Sequence, residues 1–173
     1  MRGFLLDTNV ISELRRPRPD AGVVAFVSGQ PEDALFISDV TFAEIRFGIE
    51  RLDDAERRHT IGIWLDQNLR PLFAGRTLAI SEDILLRWRL QLEGGKRRGH
   101  VFGQLDLFIA AVAAEHDLIV VSRDVTYFVA AHVAVFDPWQ KMFIAPGGSA
   151  HAIERIADAD LLGRLSSLHG ARS

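Results

Sequence analysis

The chain has 173 residues, of which 48% are hydrophobic and 25% charged, and it contains no cysteine. These values predict one globular domain with a sizeable core, exclude a disulfide framework or a thiolate zinc site, and agree with a cytoplasmic protein. Because the formal net charge is −3, the electrostatic field of the whole protein does not attract a phosphate-rich partner. Any contact with nucleic acid must therefore use local basic patches. We expect no membrane association, since no apolar stretch approaches the roughly 20 residues of a membrane-spanning helix.

Short apolar runs alternate along the chain with segments of helical spacing. We predict buried strands at residues 4–6, 35–37, 78–80, 118–121 and 133–136. We predict helices at residues 10–14, 21–27, 41–52, 55–69, 84–92 and 106–116. Alternating strands and helices predict an α/β fold of three layers, with a short parallel sheet between two layers of helices.

Two segments depart from this alternation. Residues 94–103, Gly-Gly-Lys-Arg-Arg-Gly-His-Val-Phe-Gly, predict a mobile basic loop. Residues 146–149, Pro-Gly-Gly-Ser, predict a linker before an amphipathic C-terminal helix. We therefore divide the chain into an α/β domain at 1–140 and a linker with a C-terminal helix at 141–173. That helix either packs on its own domain or docks on a partner.

Four acidic residues are predicted to meet at one edge of the sheet. Asp7 and Asp124 follow the first and fourth strands, Glu44 lies in the first turn of the helix after the second strand, and Asp106 opens a helix. Ligands of open α/β sheets bind beyond the carboxyl ends of the strands. Carboxylates that converge there repel one another, and a divalent cation or protonation must relieve the repulsion.

Each acid also has a purely structural explanation. Asp7 suits the turn before a helix, and Thr41 and Glu44 have the T-x-x-E spacing of a capping box. Asp106 could complement the positive end of a helix dipole, and Asp124 could be an ordinary turn residue. Only the joint arrangement favours a functional site.

The segments that contain these acids, with one that follows them, are Leu-Leu-Asp7-Thr-Asn-Val-Ile-Ser-Glu, Ile-Ser-Asp-Val-Thr-Phe-Ala-Glu44-Ile, Asp106-Leu-Phe-Ile-Ala-Ala, Val-Ser-Arg-Asp124-Val-Thr-Tyr-Phe and Phe-Asp-Pro-Trp139. In these segments the chain resembles the PIN-domain ribonucleases, in particular the VapC-like and FitB-like toxins of bacterial toxin–antitoxin pairs. The resemblance implies a PIN-like fold and an endoribonuclease that hydrolyses RNA phosphodiester bonds with Mg²⁺, or alternatively Mn²⁺. It also implies a cognate antitoxin protein and a homodimer.

The resemblance assigns roles to individual residues as well. It implies that the catalytic and metal-binding acids are Asp7, Glu44, Asp106 and Asp124. It places Asn9 and Ser122 at supporting positions. Basic residues suited to RNA phosphates lie near the acids in the sequence, namely Lys96, Arg97, Arg98 and Arg15.

Two other functions fit parts of the pattern. A metal-dependent phosphatase or other phosphoryl-transfer enzyme with an aspartate nucleophile also carries an acid after a parallel strand. Such phosphatases usually have a second aspartate two residues on, where this chain has Asn9. A non-catalytic partner-binding module could keep the same fold without chemistry. The complete set of four acids favours the nuclease.

Overall fold

A computed structural model describes residues 1–97, 99 and 103–170. Over these residues one sheet has seven strands in the order β3-β2-β1-β4-β5-β6-β7. The strands are β1 (Phe4–Leu6), β2 (Leu35–Ser38), β3 (Thr77–Leu78), β4 (Ile119–Val121), β5 (Val135–Asp137), β6 (Met142–Ile144) and β7 (Ala150–Ala152). The helices are α1 (Thr8–Leu14), α2 (Ala21–Gly29), α3 (Asp39–Glu50), α4 (Ala55–Trp64), α5 (Arg70–Leu72), α6 (Glu82–Arg97), α7 (Gln104–His116), α8 (Val125–Ala130) and α9 (Leu161–Gly170), with a π-helical turn (Leu65–Leu69) between α4 and α5. No helix in the described ranges is both long and apolar enough to cross a bilayer.

The first five strands are parallel, as the alternation of strands and helices predicts. Strands β6 and β7 run antiparallel and extend the sheet beyond β5. The sheet is therefore mixed: the predicted parallel sheet is present, and two antiparallel strands extend it. The pattern of apolar runs gave no signal for β7, because its sequence is Ala-His-Ala and the strand is not buried.

The α/β/α arrangement of three layers is confirmed by the two apolar clusters that flank the sheet. Successive side chains of β1 point to opposite faces, so Phe4 and Leu6 enter one cluster and Leu5 enters the other. In the first cluster the Phe26 ring lies 5.0 Å from Phe4 and 5.1 Å from Phe136, centroid to centroid. Parallel strands covered on both faces require the continuous apolar runs seen in the sequence.

The predicted basic loop at 94–103 is wrong in its first part. Helix α6 continues through both glycines and ends at Arg97. The helix dipole favours the acidic residues in the first turn of α6 and the basic residues Lys96 and Arg97 in its last turn. This stabilisation offsets part of the free-energy cost of two glycines within a helix. Gly95 is buried. Residues 98 and 100–102 of the predicted loop lie outside the described residues.

The predicted linker at 146–149 is also wrong, because these residues form the turn of the hairpin between β6 and β7. The Gly148 amide donates to the Ala145 carbonyl at 2.8 Å, and the Ala145 amide donates to the Ser149 carbonyl at 3.0 Å. Gly148 has φ +85°, a left-handed conformation that glycine adopts without strain. The Pro-Gly-Gly-Ser sequence therefore builds a tight turn rather than a spacer.

The predicted C-terminal helix is present as α9, and it packs on its own domain. Leu161 and Leu165 are fully buried in the same cluster as Phe4 and Phe26. The segment before α9 passes directly over the end of α2, where a Cβ on Gly29 would lie 2.5 Å from the Ala157 Cα atom. Whether residues 1–140 fold without this segment stays a prediction.

Candidate active site

The register of the central strands brings Asp7 and Ser122 side by side. Strands β1 and β4 are parallel neighbours in which Leu6 pairs with Val121, so the residues that follow emerge together at the carboxyl edge. The Ser122 hydroxyl donates to Asp7 Oδ2 at 2.6 Å, and both side chains are almost completely buried. In the sheet order β2-β1-β4 the later strands lie on opposite sides of β1, so the order in which strands are added reverses there, and ligands of open α/β sheets bind at such a switch point.

Asn9 connects Asp7 to Asp124. Its Nδ2 lies 2.9 Å from Asp7 Oδ2 and 3.1 Å from Asp124 Oδ2. The Asp124 amide in turn donates to the Ser122 hydroxyl oxygen at 3.0 Å. The two residues that we predicted to support the site, Asn9 and Ser122, therefore contact two of its acids directly.

Glu44 is not part of a capping box. Helix α3 begins at Asp39, and Ser38 is its N-cap, accepting from the Thr41 amide at 3.2 Å. Glu44 therefore lies in the second turn of α3, not in the first as predicted. Its carboxylate instead accepts a hydrogen bond from the Thr8 hydroxyl of α1. The Glu44 side chain therefore does not cap α3, and its carboxylate can take part in the site.

Asp106 lies in the first turn of α7, two residues after the helix begins. Gly103 is the N-cap, and a Cβ there would lie only 2.7 Å from Asp106 Oδ2. The alanine-rich turn that follows is fully buried at Ala110, Ala111 and Ala113. The carboxylate of Asp106 therefore occupies space that only a glycine at position 103 leaves open.

Burial and neighbouring acids together raise the pKa values of Asp7, Glu44 and Asp106. Burial raises the pKa of Asp7 to about 6, with further contributions from Glu44 and Asp106, against hydrogen bonds from Ser122 and the Thr8 amide. Burial likewise raises the pKa of Glu44, and nearby Asp106 adds to it. Burial raises the pKa of Asp106, and the charge of Asp124 raises it further. Asp106 thus interacts with each of the other three acids.

The acids are close but do not form a finished coordination shell. Within the described part of the chain, no three residues among His, Cys, Asp and Glu are placed so that they could hold a metal ion. The donors are all carboxylate oxygens, the type that hard divalent cations prefer. Their mutual repulsion and burial are relieved by a bound cation as well as by protons.

Of the predicted RNA contacts, Arg15 lines a cavity together with one of the acids. This cavity of about 320 Å³ is lined by Thr8, Glu44 and Trp64 as well as by Arg15, whose guanidinium carbon lies 4.8 Å from the Trp64 ring centroid. Lys96 instead lies 3.8 Å from Glu93 on its own helix. The remaining candidates are Arg97, exposed in the last turn of α6, and Arg98, outside the described residues.

Sequence reasoning missed Thr8. Its hydroxyl reaches Glu44, which lies 36 positions away in the chain. The only local signal is a polar side chain directly after Asp7, at the first position of a helix. That signal favours capping and does not indicate a partner on another helix.

The raised pKa of Asp7 predicts a pH-dependent stability. Because the folded protein holds this proton more tightly than the unfolded chain, the contribution is present below the unfolded pKa and is lost as pH rises through about 6. A rise from 3.8 to about 6 corresponds to about 3 kcal/mol of unfolding free energy. Urea unfolding in EDTA should show that the unfolding free energy of wild type, relative to Asp7→Asn, falls by most of that amount between pH 4 and pH 7. Parallel stability profiles would contradict the burial of an ionised Asp7.

A family model described as the PIN domain matches residues 4–132 of this chain. The chain belongs to the PIN domain family. The family recognition made from the sequence is therefore confirmed, and so is the α/β fold that it implied. The match covers β1 to β4 and all four acids, and it ends before β5, β6, β7 and α9.

Named relatives support the same assignment. This PIN domain is 39% identical over 136 residues to Toxin FitB of Neisseria gonorrhoeae, covering 79% of the chain and 98% of that protein. It is 36% identical over 137 residues to VapC ribonuclease Y4jK of Sinorhizobium fredii, covering 79% of the chain and 98% of that protein. The crystal structure of FitAcB from Neisseria gonorrhoeae superimposes with a TM-score of 0.75 at 39% identity, over 79% of this chain and 98% of that one.

Proposed function

We propose that this PIN domain is a metal-dependent endoribonuclease that hydrolyses RNA phosphodiester bonds, and the toxin of a toxin–antitoxin pair. The observation that carries the proposal is the convergence of Asp7, Glu44, Asp106 and Asp124 from four separate segments into one crevice, where burial and repulsion raise the pKa of three of them. The relative named VapC ribonuclease Y4jK, at 36% identity, supports RNA as the substrate.

The same four carboxylates are the residues proposed to hold Mg²⁺ or Mn²⁺. Their oxygen donors suit these cations. The pKa values of Asp7, Glu44 and Asp106 are raised first by burial and then by neighbouring acids, and a bound cation offsets both effects. When bound, the cation supplies charge neutralisation at the phosphate and water of lowered pKa. No side-chain nucleophile is then needed.

The chain's own residues orient the acids. Ser122 and Asn9 donate to Asp7 Oδ2, so that Asp7 is held in one rotamer at the end of β1. The Asn9 side-chain amide also donates to Asp124 Oδ2. Preorganised donors of this kind fix the carboxylates before the substrate arrives, which lowers the cost of assembling the site.

RNA contacts are proposed for Arg15, Lys96, Arg97 and Arg98. The position of Arg15 on the cavity beside Glu44 supports its contact with a phosphate next to the scissile one. A cognate antitoxin protein is proposed because the relative at 39% identity is named Toxin FitB. The homodimer and the cytoplasmic location stay predictions.

The proposal is tested by incubating the purified chain with a panel of structured RNAs, with Mg²⁺, with Mn²⁺ and with EDTA. We expect internal cuts that need the metal and disappear with Asp7→Asn, which excludes a contaminating nuclease. Release of inorganic phosphate from phosphomonoesters without any cut in RNA would instead favour the phosphatase. That alternative has little support, because Asn9 occupies the place of its second aspartate and donates to Asp7.

Replacing Gly103 by alanine should impair the site and spare the fold. Gly103 has φ −62° and ψ 134°, which alanine adopts freely, but its Cβ would lie 2.7 Å from Asp106 Oδ2 and force that carboxylate to move. We expect metal-dependent cleavage to fall by about 10- to 100-fold. Gly62→Ala is the control, since a Cβ there meets nothing within 4 Å. Equal cleavage by both variants would contradict the role of the Asp106 position.

A further inference from the structure

Thr8 contacts two acids from different elements, Asp7 at the end of β1 and Glu44 in α3. Its hydroxyl donates to Glu44 Oε2, and its backbone amide donates to Asp7 Oδ1 at 2.6 Å. An ionised carboxylate only accepts hydrogen bonds, so the hydroxyl must be the donor. The first residue of α1 therefore ties the end of β1 to the second turn of α3.

This contact is the one hydrogen bond to the Glu44 carboxylate among the described residues. Asp7, by comparison, accepts from Ser122, Asn9 and the Thr8 amide. A glutamate has three rotatable bonds and is about half-buried here, so a single donor decides which way its oxygens point.

We propose that Thr8 is a positioning residue, whose hydroxyl holds the Glu44 carboxylate in the crevice where it faces Asp7 and Asp106. The inference rests on the proposed function, because Glu44 is taken to be a cation ligand. Thr8 is proposed to act through Glu44 and not as a ligand of the cation or the RNA. Partners of this kind orient the metal ligands, and their loss typically weakens metal affinity or activity by about 10- to 100-fold.

The test compares three variants of the full chain. Thr8→Val removes the hydroxyl and keeps the branched shape and the backbone amide, whereas Thr8→Ser keeps the hydroxyl. Ser12→Ala is the matched control, because Ser12 lies one turn further along α1 and lines the same cavity beside Glu44. The first measurement is the Mn²⁺ dissociation constant without RNA, by electron paramagnetic resonance of the free ion. The second is metal-dependent RNA cleavage at saturating Mn²⁺.

We expect Thr8→Val to weaken Mn²⁺ binding by about 10-fold or more, with Thr8→Ser and Ser12→Ala close to wild type. Circular dichroism melts check the fold; if the valine variant is unfolded, Thr8→Ala compared with Thr8→Ser makes the same test. If the folded Thr8→Val variant binds Mn²⁺ as tightly as wild type, the inference about Thr8 is overturned and the proposed function is not. Mn²⁺ binding that depends on Thr8 without any RNA cleavage supports the inference and overturns the proposed substrate. A wild-type chain that binds no Mn²⁺ overturns both.

Discussion

Asp7→Asn should lower metal-dependent RNA cleavage by more than about 100-fold, beyond the usual effect of losing a residue that only orients a ligand. Asp7 is only 4% exposed and accepts hydrogen bonds from Ser122 and Asn9. Asparagine keeps the size of the side chain and one oxygen acceptor but removes the charge that draws a divalent cation. Initial rates on one cleavable RNA, measured at several Mg²⁺ concentrations, check this prediction.

Asp137→Asn is a closely matched control. Asp137 ends β5 at the same edge of the sheet, is 5% exposed, and its pKa is also raised by burial. Its Oδ1 accepts from the Trp139 and Gln140 amides, so it serves a turn and lies outside the group of four acids. We expect Asp137→Asn to cut RNA at the wild-type rate. An equal loss in both variants would show that buried charge at this edge, and not the specific acid, matters for activity.

Leu165→Ala should lower the free energy of unfolding by about 2–5 kcal/mol, the range for a buried leucine that leaves a cavity. Leu165 is fully buried, and it lies in the cluster that contains Phe26 and Phe136.

Removal of the whole segment after Gln140 should lower the free energy of unfolding further than Leu165→Ala does. It deletes a paired strand beside β5 and uncovers that cluster, at a cost comparable with the roughly 5–15 kcal/mol by which domains are stable. We expect no cooperative unfolding transition from residues 1–140.

Urea unfolding followed by circular dichroism measures both changes. Leu90→Ala is the control, because Leu90 is also helical but 64% exposed, so it should lose little. A truncated chain of residues 1–140 that melts like wild type would show that the C-terminal segment is an appendage. The domain boundary predicted from the sequence would then be correct.

The acids could be found from the sequence because their grouping depends on topology alone. A strand that is followed by a helix in an α/β fold ends at the carboxyl edge of the sheet, so Asp7 and Asp124 had to emerge at the same side. Asn9 and Ser122 followed from the resemblance to the PIN-domain family. Asn9 and Ser122 each lie two positions from one of the acids, within the range over which a local sequence pattern is informative.

The residues after 140 could not be assigned in the same way. A proline and two glycines predict a break in regular structure, but they do not distinguish a linker from a hairpin turn. The family model ends at residue 132, so family membership carries no information about this part. Helical spacing showed that α9 is amphipathic. It could not show that the apolar face joins the cluster that contains Phe26, because Phe26 and Leu161 lie more than 130 positions apart in the chain.

The sequence by itself determined the α/β class, the parallel core of the sheet and the set of acids at its carboxyl edge, because these depend on apolar periodicity and on where the strands end. Only the tertiary structure decided that Thr8 holds Glu44, that Gly103 leaves space for Asp106, and that α9 closes one face of the core. Each of these depends on distances of a few ångströms between side chains remote in the chain, and such distances are set by packing, not by local propensity.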